Sequence, residues 1–415
     1  MMGAKDFLLV GGGVASARCA AMLRKQGADG RITIVGAEAE PPYNRPPLSK
    51  GVLLGREDPA RIYPYPQDYY ERHSIDLVLG ATIAGVDAAA KTAKAADGRE
   101  FAYEKLLAAT GASPRRLNIP GSDLNNIFYL RTLPESLAIK GMFKPGRRAV
   151  IVGAGFIGME LASAFVQNGL ETTMLVRESG LFTRLGSARL SKFFEDYYLS
   201  QGVKIVYNDS AVRFEGGAQV ERVVTVQGLS LDCDLTAVGI GVAPEVGWLQ
   251  GSGVELSNGV VVDEYLQSGN PDIYAAGDIA NFYDPIFKKR RRIEHWDNAI
   301  KQGELAALNM LGQNVAYDTV AYFFSDIFDL SWEWLGDNSD IDATVTRGSL
   351  ADRSAIIFYL KENRLKAAFL LMQSPKERLW VERAIVEGLE FGPERQAKLA
   401  DASYPLDAVI SAQSS

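Results

Sequence analysis

Short apolar runs of strand length punctuate the first half of the chain, and two of them are followed by glycines and then by small residues. Phe7-Leu8-Leu9-Val10 leads into Gly11-Gly12-Gly13, and the small and apolar residues from Ala17 to Arg24 follow as a helix. Such a run, bounded by a turn signal, reads as a buried strand. Arg31 to Gly36 predicts a second strand. The same order returns about 140 residues later: strand Arg148 to Val152, glycines Gly153 and Gly155, helix Met159 to Phe165, strand Thr172 to Val176. Further strands are expected around Cys233, at Gly259 to Asp263 and at Pro271 to Ala276. Asn298 to Leu311 predicts a helix, with Gln302, Leu305, Ala306 and Met310 on its packed face. From Tyr322 the pattern changes. An aromatic-rich run to Leu330 precedes strand-like stretches at Ser331 to Leu335, Ala343 to Arg347, Ala355 to Leu360 and Leu365 to Met372. Pro375 to Gly388 closes the series as a helix. Several strands followed by a helix predict an α+β region.

The two strand–glycine–helix units carry the chemistry. Gly11 permits a tight turn, and Gly13 lets backbone approach a pyrophosphate at the positive end of a helix. Ser16 stands at the third, normally glycine, position, and Glu38 lies 22 residues further on, where a carboxylate can bind ribose hydroxyls. Gly153, Gly155 and Gly158 complete the second motif, with Ile157 inside it. Two dinucleotide-binding units imply two dinucleotides, and chemistry between two dinucleotides is hydride transfer. The simplest assignment puts a flavin in the first unit and a nicotinamide in the second.

Composition narrows the choice. Apolar residues make up 47% of the 415 and charged ones 23%, as in an ordinary globular protein. The net charge of −7 argues against a nucleic-acid partner. Two cysteines, Cys19 and Cys233, and two histidines leave no disulfide scaffold, iron–sulfur cluster or zinc site, so no metal is expected. Met1 to Val10, interrupted by Lys5 and Asp6, does not read as a signal peptide, and no apolar stretch is long enough to span a bilayer. The expected location is the cytoplasm, without membrane association.

Four segments carry a resemblance: Pro42 to Lys50 (PYNRPPLSK), Ala109 to Arg115 (ATGASPR), Ile273 to Asp278 (IYAAGD) and Glu294 to Ala299 (EHWDNA). On these the chain resembles the flavoprotein reductases with two dinucleotide-binding domains. Within that superfamily it is similar to the ferredoxin reductases of bacterial oxygenase systems, apoptosis-inducing factor and monodehydroascorbate reductase. The resemblance implies two Rossmann-like α/β domains of the glutathione-reductase type and a C-terminal α+β interface domain. Expected boundaries are 1–115 and 247–320 for the FAD domain, 116–246 for the NAD(P)H domain inserted in it, and 321–415 for the interface domain.

It also implies roles. Arg45 and Lys50 match basic residues near the FAD pyrophosphate and flavin, Thr110 and Gly111 close the first FAD segment, and Asp278 binds the ribityl chain. Ile83, Arg131 and His295 are further FAD contacts, and Trp296 is an aromatic against the flavin. Lys50 and Glu160 match a pair that meets beside the flavin N5. A cation there stabilises the reduced flavin, and the carboxylate keeps the lysine oriented and charged. Gly241 and Glu294 belong with the nicotinamide. Arg177, at the end of the second unit's strand, and Arg184 suit the 2′-phosphate of NADPH, whereas Glu178 suits the ribose of NADH; the balance leans slightly to NADPH.

Many relatives in the superfamily pass electrons through a cysteine pair, but here Arg45 to Lys50 contains no cysteine. The expected function is therefore an FAD-dependent NAD(P)H:ferredoxin reductase serving an oxygenase, acting as monomer or homodimer. The alternatives are direct reduction of a small radical or quinone, as in monodehydroascorbate reductase, and a redox-sensing interaction protein like apoptosis-inducing factor. The segment Ser331 to Asn338 looks closer to the monodehydroascorbate reductases. The basic run Lys288 to Arg292 reads either as a surface that steers an acidic ferredoxin or as a solvated loop.

Overall fold

The computed structural model describes residues 5–411, so Met1 to Ala4 and the last four residues of the expected interface domain lie outside the described residues. The chain divides into two compact units. Among the described residues, one gathers 5–45, 60–113 and 242–319, and the other gathers 46–59, 114–241 and 320–411.

The first unit is built on a five-stranded parallel sheet. Its strands run in the order Ile273–Ala275, Lys105–Ala108, Phe7–Val10, Ile32–Val35, Ile75–Val78. Phe7 is in register with both Ile32 and Lys105, so the first apolar run lies at the sheet centre. All four of its residues are buried, as a central parallel strand covered on both faces requires. Helix Val14–Lys25 follows the glycines, and helix Trp296–Met310 packs on it. A Cβ on Gly303 would lie 2.3 Å from the Ala15 carbonyl oxygen, so the two backbones touch there and only glycine fits. Helix Trp296–Met310 begins two residues before the predicted start, because His295 caps it through the Asp297 N–H. Two three-stranded sheets complete the unit, one from Ile83–Asp87, Thr92–Ala95 and Glu100–Ala102, the other from Val260–Val262, Ala280–Asp284 and Lys289–Arg292.

That last strand settles the basic run differently from a solvated loop. Lys289–Arg292 pairs antiparallel with Ala280–Asp284. Arg291 binds Asp284 at 2.9 Å, Arg292 binds Glu294 at 2.7 Å, and Arg290 donates to the Val262 carbonyl. Much of the run's charge is neutralised locally.

The second unit holds its own five-stranded parallel sheet, ordered Lys204–Val206, Glu171–Leu175, Arg148–Val152, Leu235–Val238, Ile127–Phe128. Helix Phe156–Gln167 follows the second glycine motif. The C-terminal part forms a five-stranded antiparallel sheet, ordered Tyr322–Ile327, Leu330–Gly336, Arg364–Leu371, Ser354–Lys361, Ala343–Ser349. The aromatic-rich run is thus the edge strand of that sheet, turned back through Phe328 and Asp329. Its centre is the core of this region: Leu360, Leu365, Phe369, Leu370 and Leu371 are almost wholly buried. Helices Pro375–Val386, Pro393–Ala400 and Leu406–Ser411 follow, the first opened by a capping box between Ser374 and Glu377. Among the described residues no helix is long and apolar enough to cross a membrane.

Candidate active site

The first unit brings together most of the residues expected to hold a flavin dinucleotide. Gly11 has φ +125°, and a Cβ on it would lie 2.1 Å from the Ala109 carbonyl oxygen, so no other residue fits the turn. Gly13, at the start of the helix, faces open space, with no atom within 4 Å of where a Cβ would sit. One turn into the helix, the Ser16 hydroxyl is fully buried and has no hydrogen-bond partner among the described residues. A buried hydroxyl without a partner is costly. An open glycine, helix N–H groups and an unmet hydroxyl together fit an anionic phosphate group.

Glu38 lies three residues beyond the strand Ile32–Val35. Its two oxygens accept from Arg45 at 2.6 Å and from the Tyr43 hydroxyl at 2.5 Å. Each oxygen keeps a further lone pair for a ribose hydroxyl. Burial works against the Arg45 charge, but Tyr43, Glu38 and Asp278 outweigh it and hold the guanidinium above its ordinary range. Arg45, Glu38 and Asp278, far apart in sequence, thus form one electrostatic cluster. Tyr43 belongs to it and was assigned no role from sequence, although it stands inside the segment Pro42 to Lys50.

Asp278 follows Gly277, whose φ is +80° and whose N–H is held at 2.8 Å by the side-chain oxygen of Gln302. The Gln302 amide nitrogen is buried with no partner among the described residues. Helical spacing places Gln302 on the packed face, where Asn298 and Asn309 are buried too, so an amide there carries no distinct sequence signal. Trp296 donates to the Asn44 side chain at 2.8 Å. Thr110 donates to the Glu245 carbonyl, and Gly111 takes φ +71° in the same turn. Ile83 is buried at the start of its strand, and Glu294 is exposed and paired with Arg292.

The second unit holds the other set. Gly153 has φ +104°, with the Gly239 carbonyl oxygen 2.4 Å from a notional Cβ, and Gly158 would meet the Gly153 oxygen at 2.2 Å. Here the third glycine is obligatory, whereas the first unit accommodates Ser16. Gly155 caps helix Phe156–Gln167, and Phe156 and Ile157 stand exposed at its first turn. Val176 is buried; Arg177 beyond it is 79% exposed and forms a 3.3 Å pair with Glu178. An exposed pair of this kind contributes little and leaves the guanidinium available. Arg184 is exposed in the turn Thr183–Leu185, Gly241 has φ +96°, and Arg131 precedes helix Leu133–Gly141.

Lys50 and Glu160, 110 residues apart, meet in this unit at 2.6 Å. Their side chains are only 16% and 6% exposed. Glu160 accepts two further bonds, from Ser49 and from Ser325, each at 2.5 Å. The Lys50 ammonium also lies 5.7 Å from the centre of the Phe324 ring. Neither serine was singled out from sequence. Ser49 sits beside Lys50 in the matched segment, while Ser325 lies in an aromatic run that carried no such signal. The arrangement is a buried cation held by a carboxylate that is itself held by hydroxyls.

Neither cysteine is poised as a nucleophile. Cys19 is fully buried, and burial pushes its thiol far up. Cys233, buried in the second unit, is pushed up to about 11 for the same reason.

Residues 5–303 match the family model of pyridine nucleotide-disulphide oxidoreductases, and residues 322–410 match that of the reductase C-terminal domain. The chain is 36% identical over 399 residues to monodehydroascorbate reductase 2 of Arabidopsis thaliana, covering 89% of this chain and 91% of that one. It is 33% identical over 411 residues to the ferredoxin reductase subunit of a 5,5′-dehydrodivanillate O-demethylase from a Sphingobium species, covering 98% and 99%. Among solved structures, the covalent putidaredoxin reductase–putidaredoxin complex superposes with a TM-score of 0.94 at 30% identity over 98% of both chains. The chain belongs to the pyridine nucleotide-disulphide oxidoreductase family, as an FAD-dependent oxidoreductase that uses NAD(P)H.

Proposed function

We propose that this protein passes electrons from a nicotinamide through FAD to a ferredoxin-type iron–sulfur protein of an oxygenase system, in the cytoplasm. Two observations carry the reading: both thiols are buried and inert, and the Lys50–Glu160 pair is fully assembled without them. The chain's two cysteines are buried and held protonated, so the disulfide route of the wider family has no donor here. The similarity to two ferredoxin reductases over nearly the whole chain supports the acceptor.

Bound FAD supplies the group that takes a hydride and returns electrons singly. This chain's residues do the rest. Gly13 and Ser16 would hold the pyrophosphate of FAD, Glu38 its ribose, and Asp278 its ribityl chain. Lys50, fixed by Glu160, would supply the positive charge that stabilises reduced flavin. Gly153, Gly155, Ile157, Gly158 and Gly241 line the nicotinamide path. We assign the FAD domain to 1–115 and 247–320, the NAD(P)H domain to 116–246 and the interface domain to 321–415. Arg177, free to turn towards a 2′-phosphate, tilts the assignment to NADPH.

A second reading has its own support. The 36% identity to a monodehydroascorbate reductase and the Glu294-His295 pair favour a small radical as acceptor. Steady-state turnover with an acidic ferredoxin, with ascorbate radical and with a quinone separates the two. A kcat/KM for ferredoxin below that for ascorbate radical overturns the first reading.

A further inference from the structure

Glu160 is held by more than its lysine. The residue lies in the second turn of helix Phe156–Gln167, with its carboxylate buried. One oxygen accepts from Lys50 and Ser325, and the other from Ser49. The two hydroxyls reach it from different parts of the chain. Ser49 ends the turn Pro46–Ser49, immediately before Lys50. Ser325 lies in the middle of the edge strand Tyr322–Ile327.

Ser325 is out of place for a packing residue. Strand side chains alternate, and Phe323, Ser325 and Ile327 share one face. Ser325 and Ile327 are both almost wholly buried, and Asp326 between them is exposed. An apolar side chain would serve burial better at that position, since a buried hydroxyl costs free energy unless it is bonded. Its partner is the Glu160 carboxylate. Hydrogen bonds to an ionised group are the strong ones, and two donors on opposite oxygens remove the carboxylate's freedom to rotate.

We propose that Ser325 and Ser49 are positioning residues for flavin reduction: their hydroxyls lock Glu160 in the one orientation that pins the Lys50 ammonium. The inference rests on the reading of Lys50 and Glu160 given above. Glu160 needs both hydroxyls because a terminal carboxylate torsion is soft, and a carboxylate held only by lysine swings with it. The edge strand of the C-terminal sheet thereby supplies a working part of the reductive half-reaction.

The test uses the FAD-loaded protein and three variants, Ser325→Ala, Ser49→Ala and Ser325→Thr. Anaerobic stopped-flow mixing with NAD(P)H gives the limiting rate of flavin bleaching and the nucleotide Kd. Acylation of Lys50 by acetic anhydride, followed by mass spectrometry in flavin-loaded and flavin-free protein, reports how firmly the ammonium is held. Each alanine variant is expected to slow bleaching about tenfold, the size of one hydrogen bond to a charged group, with Kd unchanged. Lys50 acylation is expected to rise several-fold in both states, and Ser325→Thr, which keeps the hydroxyl, to restore both readouts. Wild-type bleaching or wild-type acylation in both alanine variants overturns the proposal. Lys50→Met and Glu160→Gln are run alongside. If they slow bleaching while the serine variants do not, only the serine role fails; if they too reduce at the wild-type rate, the reading of the site fails.

Discussion

Replacing Glu160 with glutamine is the sharpest probe of the site, because it removes charge and almost nothing else. The wild-type contact is 2.6 Å between groups 16% and 6% exposed. At an effective dielectric of about 20, two unit charges at that distance attract by roughly 6 kcal/mol, most of which is offset by desolvation. Removing one partner of a buried pair commonly costs about 3–5 kcal/mol. The amide softens this: its oxygen still accepts from Lys50, its nitrogen can donate to the Ser49 oxygen, and Lys50 keeps some access to water. We therefore expect Glu160→Gln to lose about 2 kcal/mol. For a unit of some 150–250 residues that lowers Tm by roughly 4–8 °C. Flavin reduction is expected to suffer more than stability, slowing about 100-fold because the lysine loses its fixed counter-charge. Thermal melting followed by flavin fluorescence reads the first quantity, and anaerobic stopped-flow bleaching reads the second. A Glu160→Gln protein that melts several degrees lower yet reduces its flavin at the wild-type rate would refute the catalytic role and leave the pair as a structural bridge.

Further outcomes follow from the same geometry. A Cβ at position 13 meets no atom within 4 Å, so Gly13→Ala should leave the flavin-free fold within about 0.5 kcal/mol while FAD binding weakens; Gly158→Ala, forced against the Gly153 carbonyl, should instead unfold the second unit's motif, and far-UV dichroism with FAD absorbance separates the two. Arg177→Glu should move the ratio of kcat/KM for NADPH over NADH downward by at least tenfold, and an unchanged ratio removes Arg177 from nucleotide choice. Because burial raises the Cys233 thiol to about 11, its contribution to stability is complete below the unfolded thiol range and is lost as pH climbs from about 9 through 11. Native alkylation of Cys233 at pH 8 should accordingly be negligible, and Cys19→Ala with Cys233→Ala should retain turnover; a double variant that cannot reduce its acceptor contradicts direct electron transfer.

The dinucleotide units were legible in the sequence because their demands are local. Gly11 and Gly153 take backbone angles and close approaches that only glycine allows, so each motif reports its own geometry. The Lys50–Glu160 contact spans 110 residues and has no local signature; it was reachable only through the resemblance that pairs those two positions. Ser325 was invisible for a related reason. Its meaning comes from burial on the inner face of an edge strand, which tertiary packing decides. For the basic run Lys288 to Arg292 the loop alternative alone is overturned. The run read either as a steering surface or as a solvated loop; the strand pairing replaces the loop and turns Arg291 and Arg292 towards Asp284 and Glu294, carboxylates that charge counting along the run did not include. Gln302 shows the same limit: helical spacing placed it on the packed face, and only the contact with Gly277 revealed what its amide does there.

The central claim is that electrons leave the flavin directly for a one-electron iron–sulfur acceptor. One hydride carries two electrons and leaves one proton in solution, so each NAD(P)H must reduce two ferredoxins. The most direct measurement is double-mixing stopped flow: the protein is reduced anaerobically with one equivalent of NAD(P)H, then mixed with excess oxidised ferredoxin. Two reduced ferredoxins per flavin are expected, formed faster than the same protein reduces a quinone or ascorbate radical. Flavin that stays reduced in the presence of ferredoxin, while it is reoxidised rapidly by the small acceptors, would contradict it.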